Sequence, residues 1–122
     1  MPATLYERLG GRDRITVIAD DLVELHRVNP LIRQRFAHLD PDSIRKLKSH
    51  VVEFFCAGGG GPANYTGRDM VSTHKGMNIN EQELVAAIDD IVAAMRKHGV
   101  ADPECNEVVG ILYSLKGEVI RI

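Results

Sequence analysis

Residues 40–62 read DPDSIRKLKSHVVEFFCAGGGGP, and this stretch decides the class of fold. Asp40 followed by Pro41 is typical of a helix start, because the carboxylate accepts hydrogen bonds from the first amides and proline fits the first turn. Apolar side chains then recur at helical spacing, at Ile44, Leu47, Val51, Phe54 and Phe55. The glycines at 58–61 and the proline after them cannot continue a helix. We therefore predict one amphipathic helix that ends at the glycine run.

The rest of the chain has the same helical periodicity, interrupted by glycine and proline. Capping-box patterns predict helix starts at Thr4, with Glu7, and at Asn80, with Glu83. The predicted helices are a short one ended by Gly10 and Gly11, one from Asp13 to about Pro30, one over 40–58, a turn carrying Met70 and His74, and one from Asn80 to His98. A last helix is predicted to carry the apolar positions from Val108 through Ile122. We expect an all-α fold with a single domain spanning residues 1–122.

Composition and charge exclude several classes of protein. The chain has 122 residues, 44% of them hydrophobic and 26% charged, which is ordinary for a globular domain. A net charge of −2 gives no electrostatic reason to expect a nucleic-acid partner. No apolar run reaches the roughly 20 residues of a membrane span, and no signal peptide is recognisable. Cys56 and Cys105 form no metal-binding pattern and are expected to be buried thiols. We expect a soluble cytoplasmic protein that is a monomer or a weak dimer.

The five histidines have the clearest ligand chemistry in the chain. His26, His38 and His98 lie near predicted helix ends and are expected to be solvated surface side chains. His50 lies on the apolar face of its helix, and His74 follows a methionine by one turn. Two such histidines on separate helices suit a large apolar cofactor with a metal at its centre. Haem is such a cofactor, since its iron takes a neutral imidazole as axial ligand.

Other interpretations of these residues stay open. A histidine on an apolar face is more often an ordinary core residue, which would make the chain a cofactor-free helical interaction module. A zinc site needs three or four ligands, and no carboxylate or thiolate joins His50 and His74 in a pattern. The glycine run lacks the Lys-Ser or Lys-Thr of a phosphate-binding loop, so a helix end with a close backbone approach explains it better.

Four motifs extend the haem interpretation to nearly the whole chain: LYERLGG at 5–11, LKSHVVEFFCAGGGGP at 47–62, NYTGRDM at 64–70 and VSTHKGM at 71–77. In this order and at these separations, they resemble the group I truncated haemoglobins. The resemblance implies a truncated globin fold, in which two antiparallel helix pairs (2-on-2) sandwich a haem. It also implies reversible binding of small diatomic ligands, O₂, NO or CO, at the haem iron.

The resemblance implies roles for individual residues. His74 stands at the position of the proximal iron ligand, and Phe36 at that of a phenylalanine that packs on the haem face. The other residues expected to contact haem are Leu47, His50, Val51 and Phe54 on the distal side, Lys46, Thr66 and Arg68 near the propionates, and Tyr65, Met70, Ile79, Leu84 and Ile88 elsewhere around the cofactor. Some relatives link haem covalently through a C-terminal histidine. Here Tyr113, Leu115 and Lys116 stand in that region, so a noncovalent haem b is expected.

The chain departs from the family at the positions that hold dioxygen. Val23 stands at the position of the family's tyrosine and Val51 at that of its distal glutamine, so both hydrogen-bond donors are missing. The enzymatic alternative is nitric oxide dioxygenation with an unknown reductase. It needs dioxygen to be retained until NO arrives, and the two valines argue against it.

His50 stands where some cyanobacterial members have a second iron-binding histidine. We expect it to bind the iron when no external ligand is present. The alternatives are that it turns outward to a propionate or solvent, or that it forms a hydrogen bond to the ligand.

Overall fold

The computed structural model describes residues 3–63 and 69–122. Its α-helices are α1 (Leu5–Arg8), α2 (Gly11–Val28), α3 (Pro41–Gly58), α4 (Met70–His74), α5 (Glu81–Lys97) and α6 (Asp102–Ser114), with 3₁₀ turns at Arg33–Arg35 and Lys116–Glu118. These two ranges contain no β-strand, so the expected all-α fold is confirmed. No helix within them is long and apolar enough to cross a membrane.

The helices begin where local side chains cap them. The Thr4 hydroxyl accepts a hydrogen bond from the Glu7 amide at 3.1 Å, and the Thr4 amide donates to the Glu7 carboxylate at 3.3 Å. The Asp40 carboxylate accepts from the Ser43 amide at 2.7 Å, and Asn80 caps α5 in the same way. Each cap joins residues only three positions apart, which is why the sequence patterns predicted them correctly.

Two predicted helix boundaries are wrong. α2 begins at Gly11 and not at Asp13, because Gly10 takes the left-handed conformation (φ 100°) and serves as the N-cap. α6 ends at Ser114 and does not continue to Ile122. The chain beyond it crosses to the segment after α4, where Ile120 forms an isolated parallel bridge with Ile79. The apolar periodicity near the C-terminus therefore reflects burial against two different neighbours and not one continuous helix.

α2 is the central helix, and it packs against α3 on one side and α5 on the other. α5 also packs against α6, which gives the two helix pairs of the expected 2-on-2 arrangement. The core between them includes Leu22, Val23 and Met95. Cys56 and Cys105 are buried free thiols, as predicted, and burial raises the pKa of both.

The glycine run after α3 forms the surface on which Tyr6 packs. A Cβ atom at Gly59 would lie 2.8 Å from the Tyr6 backbone nitrogen, and one at Gly61 would lie 2.3 Å from the Tyr6 ring. The Tyr6 amide donates to the Gly59 carbonyl at 2.9 Å, and the Tyr6 hydroxyl accepts from the Arg12 amide at 3.1 Å. The close backbone approach predicted at this helix end is confirmed.

Replacing Gly61 with alanine is expected to lower the free energy of unfolding by about 1–3 kcal/mol, because the new methyl group overlaps the Tyr6 ring. Gly58→Ala is the matched control, since a Cβ there meets nothing within 4 Å. Urea unfolding of both variants measures the difference. Equal midpoints for the two variants would show that the contact with Tyr6 does not require glycine at position 61.

Candidate functional site

His74 is the last residue of α4 and is half-buried. Its Nδ1 lies 2.8 Å from the carbonyl oxygen of Met70. A carbonyl only accepts hydrogen bonds, so Nδ1 carries a proton, and in the neutral ring the lone pair is on Nε2. The helix that carries His74 thereby sets the ring's orientation and leaves the lone pair on Nε2, the atom through which a histidine can bind a metal.

Contacts at both ends hold α4 in place. The Asp69 carboxylate caps its start by accepting from the Ser72 amide at 2.7 Å, and this hydrogen bond holds the pKa of Asp69 below its usual range. α4 lies against the 3₁₀ turn Lys116–Glu118. After the helix, Gly76 turns the chain (φ 86°) and its amide donates to the Ile122 carbonyl at 3.0 Å. The C-terminal residues therefore help to position the segment that follows His74.

The apolar stripe of α5 becomes less buried toward the start of the helix, which follows α4 in the chain. Met95 is 0% exposed and Ile91 is 9% exposed, whereas Ile88 and Leu84 are only half-buried. Met70 and Ile79 are also half-buried. Of the residues that the structure describes between 70 and 88, Ala86 alone is buried, at 3% exposed, and none belongs to the main core cluster. This incomplete burial, in α5 and in the segment that carries His74, fits a large apolar cofactor that covers these side chains.

α3 carries two different apolar faces. Ile44, Val52 and Cys56 are buried in the core. The other face consists of half-buried side chains, namely Leu47, Val51 and Phe54. At about 100° per residue, His50 lies about 40° beyond Phe54 and farthest from the core face, and it is exposed. The prediction that His50 lies on the apolar face is therefore wrong, because His50 borders the half-buried face of α3 and does not lie within it.

The remaining predicted site residues occupy three kinds of position. Phe36 is half-buried directly after the turn Arg33–Arg35, and Lys46 is exposed near the start of α3. Tyr65, Thr66 and Arg68 lie outside the described residues. The structure thus places His74 with Met70 on α4 and Leu84 with Ile88 on α5, and it puts Leu47, Val51 and Phe54 on one face of α3.

The prediction that His26 and His98 are solvated surface side chains is wrong. The His26 side chain is 12% exposed and its Nδ1 lies 2.8 Å from an Asp90 carboxylate oxygen. Burial lowers the pKa of His26 below its ordinary value, although Asp90 opposes that shift. His98 Nε2 lies 2.5 Å from an Asp21 carboxylate oxygen. Both partners lie on distant helices, so sequence spacing did not reveal them. His38 is exposed, as predicted.

Sequence reasoning missed the arginine that connects to the segment after α4. Arg35 donates from Nε and Nη2 to the two carboxylate oxygens of Glu83, at 2.8 and 3.0 Å, and from Nη1 to the Met77 carbonyl at 2.7 Å. The capping box of α5 marked Glu83 as a structural carboxylate. No pattern in the sequence marked its partner, because 48 residues separate the two.

The chain is similar to known globins in sequence and in fold. It matches the family model described as "Bacterial-like globin" over residues 4–121. It is 26% identical over 119 residues to a group 1 truncated haemoglobin of Tetrahymena pyriformis, covering 98% of this chain and 96% of that protein. It is 29% identical over 119 residues to group 1 truncated haemoglobin GlbN of Mycolicibacterium paratuberculosis, covering 97% and 85%.

Solved structures show the same fold. The Fe(III) form of the truncated haemoglobin from Tetrahymena pyriformis superposes with a TM-score of 0.92 at 23% identity, covering 98% of this chain and all (100%) of that one. The haemoglobin of the thermophilic phototrophic bacterium Chloroflexus aurantiacus gives a TM-score of 0.78 at 25% identity, with coverage of 98% and 100%. The truncated globin fold expected from the sequence is confirmed.

Proposed function

The chain belongs to the bacterial-like globin family, and we propose that it binds haem with His74 as the proximal iron ligand and reversibly binds O₂, NO or CO. One observation carries the proposal. The His74 imidazole has Nδ1 bonded to the Met70 carbonyl at 2.8 Å, and the apolar side chains Met70 and Ile79 of its own segment and Leu84 of α5 are only half-buried. Haem held by His74 would supply an iron at which a diatomic ligand can bind.

The residues present fit a noncovalent haem b. Leu84 and Ile88 of α5 would cover one part of the macrocycle, and the half-buried face of α3 another, so that burial of apolar surface supplies most of the binding free energy. Lys46 is exposed and would meet the carboxylates at the solvent edge, together with Thr66 and Arg68. Near the end of α6, Lys116 donates a hydrogen bond to the Tyr113 hydroxyl at 2.7 Å. No histidine stands in that region to form a covalent link.

The valines on the distal side favour ligand binding over nitric oxide dioxygenation. Val23 is 1% exposed and belongs to the core, and Val51 is half-buried. Neither side chain can donate a hydrogen bond to a polarised ligand. Such a bond contributes on the order of 1.5–3 kcal/mol, roughly ten- to a hundredfold in affinity. We therefore expect dioxygen to be held weakly, which disfavours a reaction that requires it to be retained.

A visible spectrum of the purified protein tests the proposal. A protein that binds haem has a Soret band. If it binds ligands reversibly, CO added to the ferrous protein should shift that band, and removal of CO should return the band to its original position. A colourless protein that takes up no added haemin would overturn the proposal. Nitrate formation from NO and O₂ over many turnovers, with a reductant present, would favour the dioxygenase.

His50 is expected to bind the iron when no external ligand is present, because it borders the half-buried face of α3 and imidazole is a preferred iron ligand. The iron would then be low-spin in both oxidation states. His50→Ala should make ferrous iron high-spin and accelerate CO binding, as optical spectra and flash photolysis would measure. Ser49→Ala, an exposed neighbour on another side of α3, is the control. A wild-type ferrous protein that is already high-spin, with the CO rate unmoved in His50→Ala, would contradict this expectation.

We further propose that the protein is a single domain in the cytoplasm, that it is monomeric or weakly dimeric, and that a separate reductase reduces its iron. The buried free thiols of Cys56 and Cys105 support a reducing compartment. Size-exclusion chromatography over a range of concentrations tests the oligomeric state.

A further inference from the structure

Arg35 connects three separate parts of the fold beside His74. We propose that Arg35 is a positioning residue, which fixes the segment following α4 and thereby the orientation of the His74 imidazole. This inference rests on the proposed function, because it takes His74 as the iron ligand.

The hydrogen bonds lead directly from the guanidinium to the backbone of His74. Arg35 Nη1 donates to the Met77 carbonyl at 2.7 Å. The amide of Met77 donates in turn to the His74 carbonyl at 3.0 Å. A hydrogen bond from a charged donor is stronger than a neutral one, so the first of these two bonds holds Met77 firmly against the turn Arg33–Arg35.

The rest of the guanidinium is held by Glu83. Its two other contacts, at 2.8 and 3.0 Å, form a bidentate pair with the Glu83 carboxylate. Glu83 is itself fixed, because its carboxylate also accepts from the Asn80 amide at 3.2 Å in the capping box of α5. The side chains of Arg35 and Glu83 are 26% and 12% exposed, so this pair is more shielded from solvent than an ordinary surface ion pair. Arg35 therefore has little freedom to move away from Met77.

The segment after α4 relies on such hydrogen bonds because its apolar side chains are only half-buried and lie outside the main core cluster. α4 has only 5 residues, too few for a stable isolated helix. The chain then passes through left-handed backbone at Gly76 (φ 86°) and Asn78 (φ 51°), and its apolar side chains do not join the described core. The Gly76 amide is bonded to the Ile122 carbonyl at 3.0 Å. Arg35 holds the same segment through Met77, so losing Arg35 should leave it held by its C-terminal contacts.

The test replaces Arg35 with methionine, which keeps much of the side-chain length and removes every donor. Arg8→Met is the matched control, because Arg8 also forms a bidentate pair, with Glu107 at 2.7 and 3.1 Å, and donates to the Ala3 carbonyl at 3.3 Å. Two properties are measured on each haem-containing protein. These are amide hydrogen exchange at Met77 and, by resonance Raman spectroscopy, the iron–histidine stretching band of the ferrous unliganded protein.

Arg35→Met should accelerate exchange at Met77 by about tenfold or more, and should shift or broaden the iron–histidine band. Arg8→Met should change neither. Glu83→Gln keeps an oxygen acceptor but removes the charge, so it should produce smaller changes in the same direction. If Arg35→Met does not fold, the Glu83→Gln variant tests the proposal by the same two measurements.

The results that overturn the inference differ from those that overturn the proposed function. Unchanged exchange at Met77 would show that Arg35 does not hold this segment. Faster exchange with an unaltered iron–histidine band would show a purely structural role. A wild-type protein without a Soret band would overturn the proposed function, and the positioning role with it, before any variant is compared.

Discussion

Replacing His74 with glycine is expected to abolish stable haem binding. The Nε2 atom of His74 carries the lone pair that can bind iron, since the Nδ1 N–H donates a hydrogen bond to the Met70 carbonyl at 2.8 Å. Without it, haem would be held by apolar contacts alone, and affinity should fall by roughly a hundredfold or more, about 2.7 kcal/mol. Titration of the haem-free variant with haemin, followed in the Soret region, measures the loss.

Free imidazole distinguishes loss of the ligand from loss of the fold. His74→Gly leaves a space for imidazole, so adding imidazole should restore haem binding and a five- or six-coordinate spectrum. His38→Ala is the control, since His38 is an exposed histidine on which no part of the proposal depends. Full haem content in His74→Gly, with a ferrous spectrum like that of the wild type, would show that another residue binds the iron.

Removal of haem is expected to lower the stability of the whole protein by several kilocalories per mole. The half-buried side chains of the site, such as Phe54, Leu84 and Ile88, would then face water or a void. A ligand that binds only the native state stabilises it by about 4 kcal/mol when its free concentration is a thousandfold above the dissociation constant. Thermal unfolding followed by circular dichroism should show a lower and broader transition for the haem-free protein.

Reconstitution provides the control for that comparison. Adding one equivalent of haemin to the haem-free protein should restore the original melting temperature, which excludes damage during extraction. A haem-free protein that unfolds cooperatively at the same temperature as the haem-containing one would show that its core is complete without the cofactor.

The sequence predicted the α-helices and their starts well because those features are local. A carboxylate or hydroxyl reaches amides only a few residues away, so Asp40, Thr4 and Asn80 determine the caps of α3, α1 and α5 whatever the rest of the chain does. The apolar periodicity of α3 predicted a single apolar face, and only the structure divides it into a core face and a half-buried one. The end of α6 was predicted wrongly, because periodicity reports burial and cannot tell which neighbour provides it.

The sequence by itself determined the helices, the family resemblance and His74 as the candidate ligand, since each rests on residues close together in the chain. Tertiary structure alone decided the pairs that cross the fold, such as His26 with Asp90 and Arg35 with Glu83. The tertiary structure also explains the glycine run. The ring of Tyr6, from the first helix of the chain, occupies the space that a side chain at position 61 would fill. Such contacts join residues tens of positions apart. Their formation depends on how the helices pack in three dimensions, which no local pattern specifies.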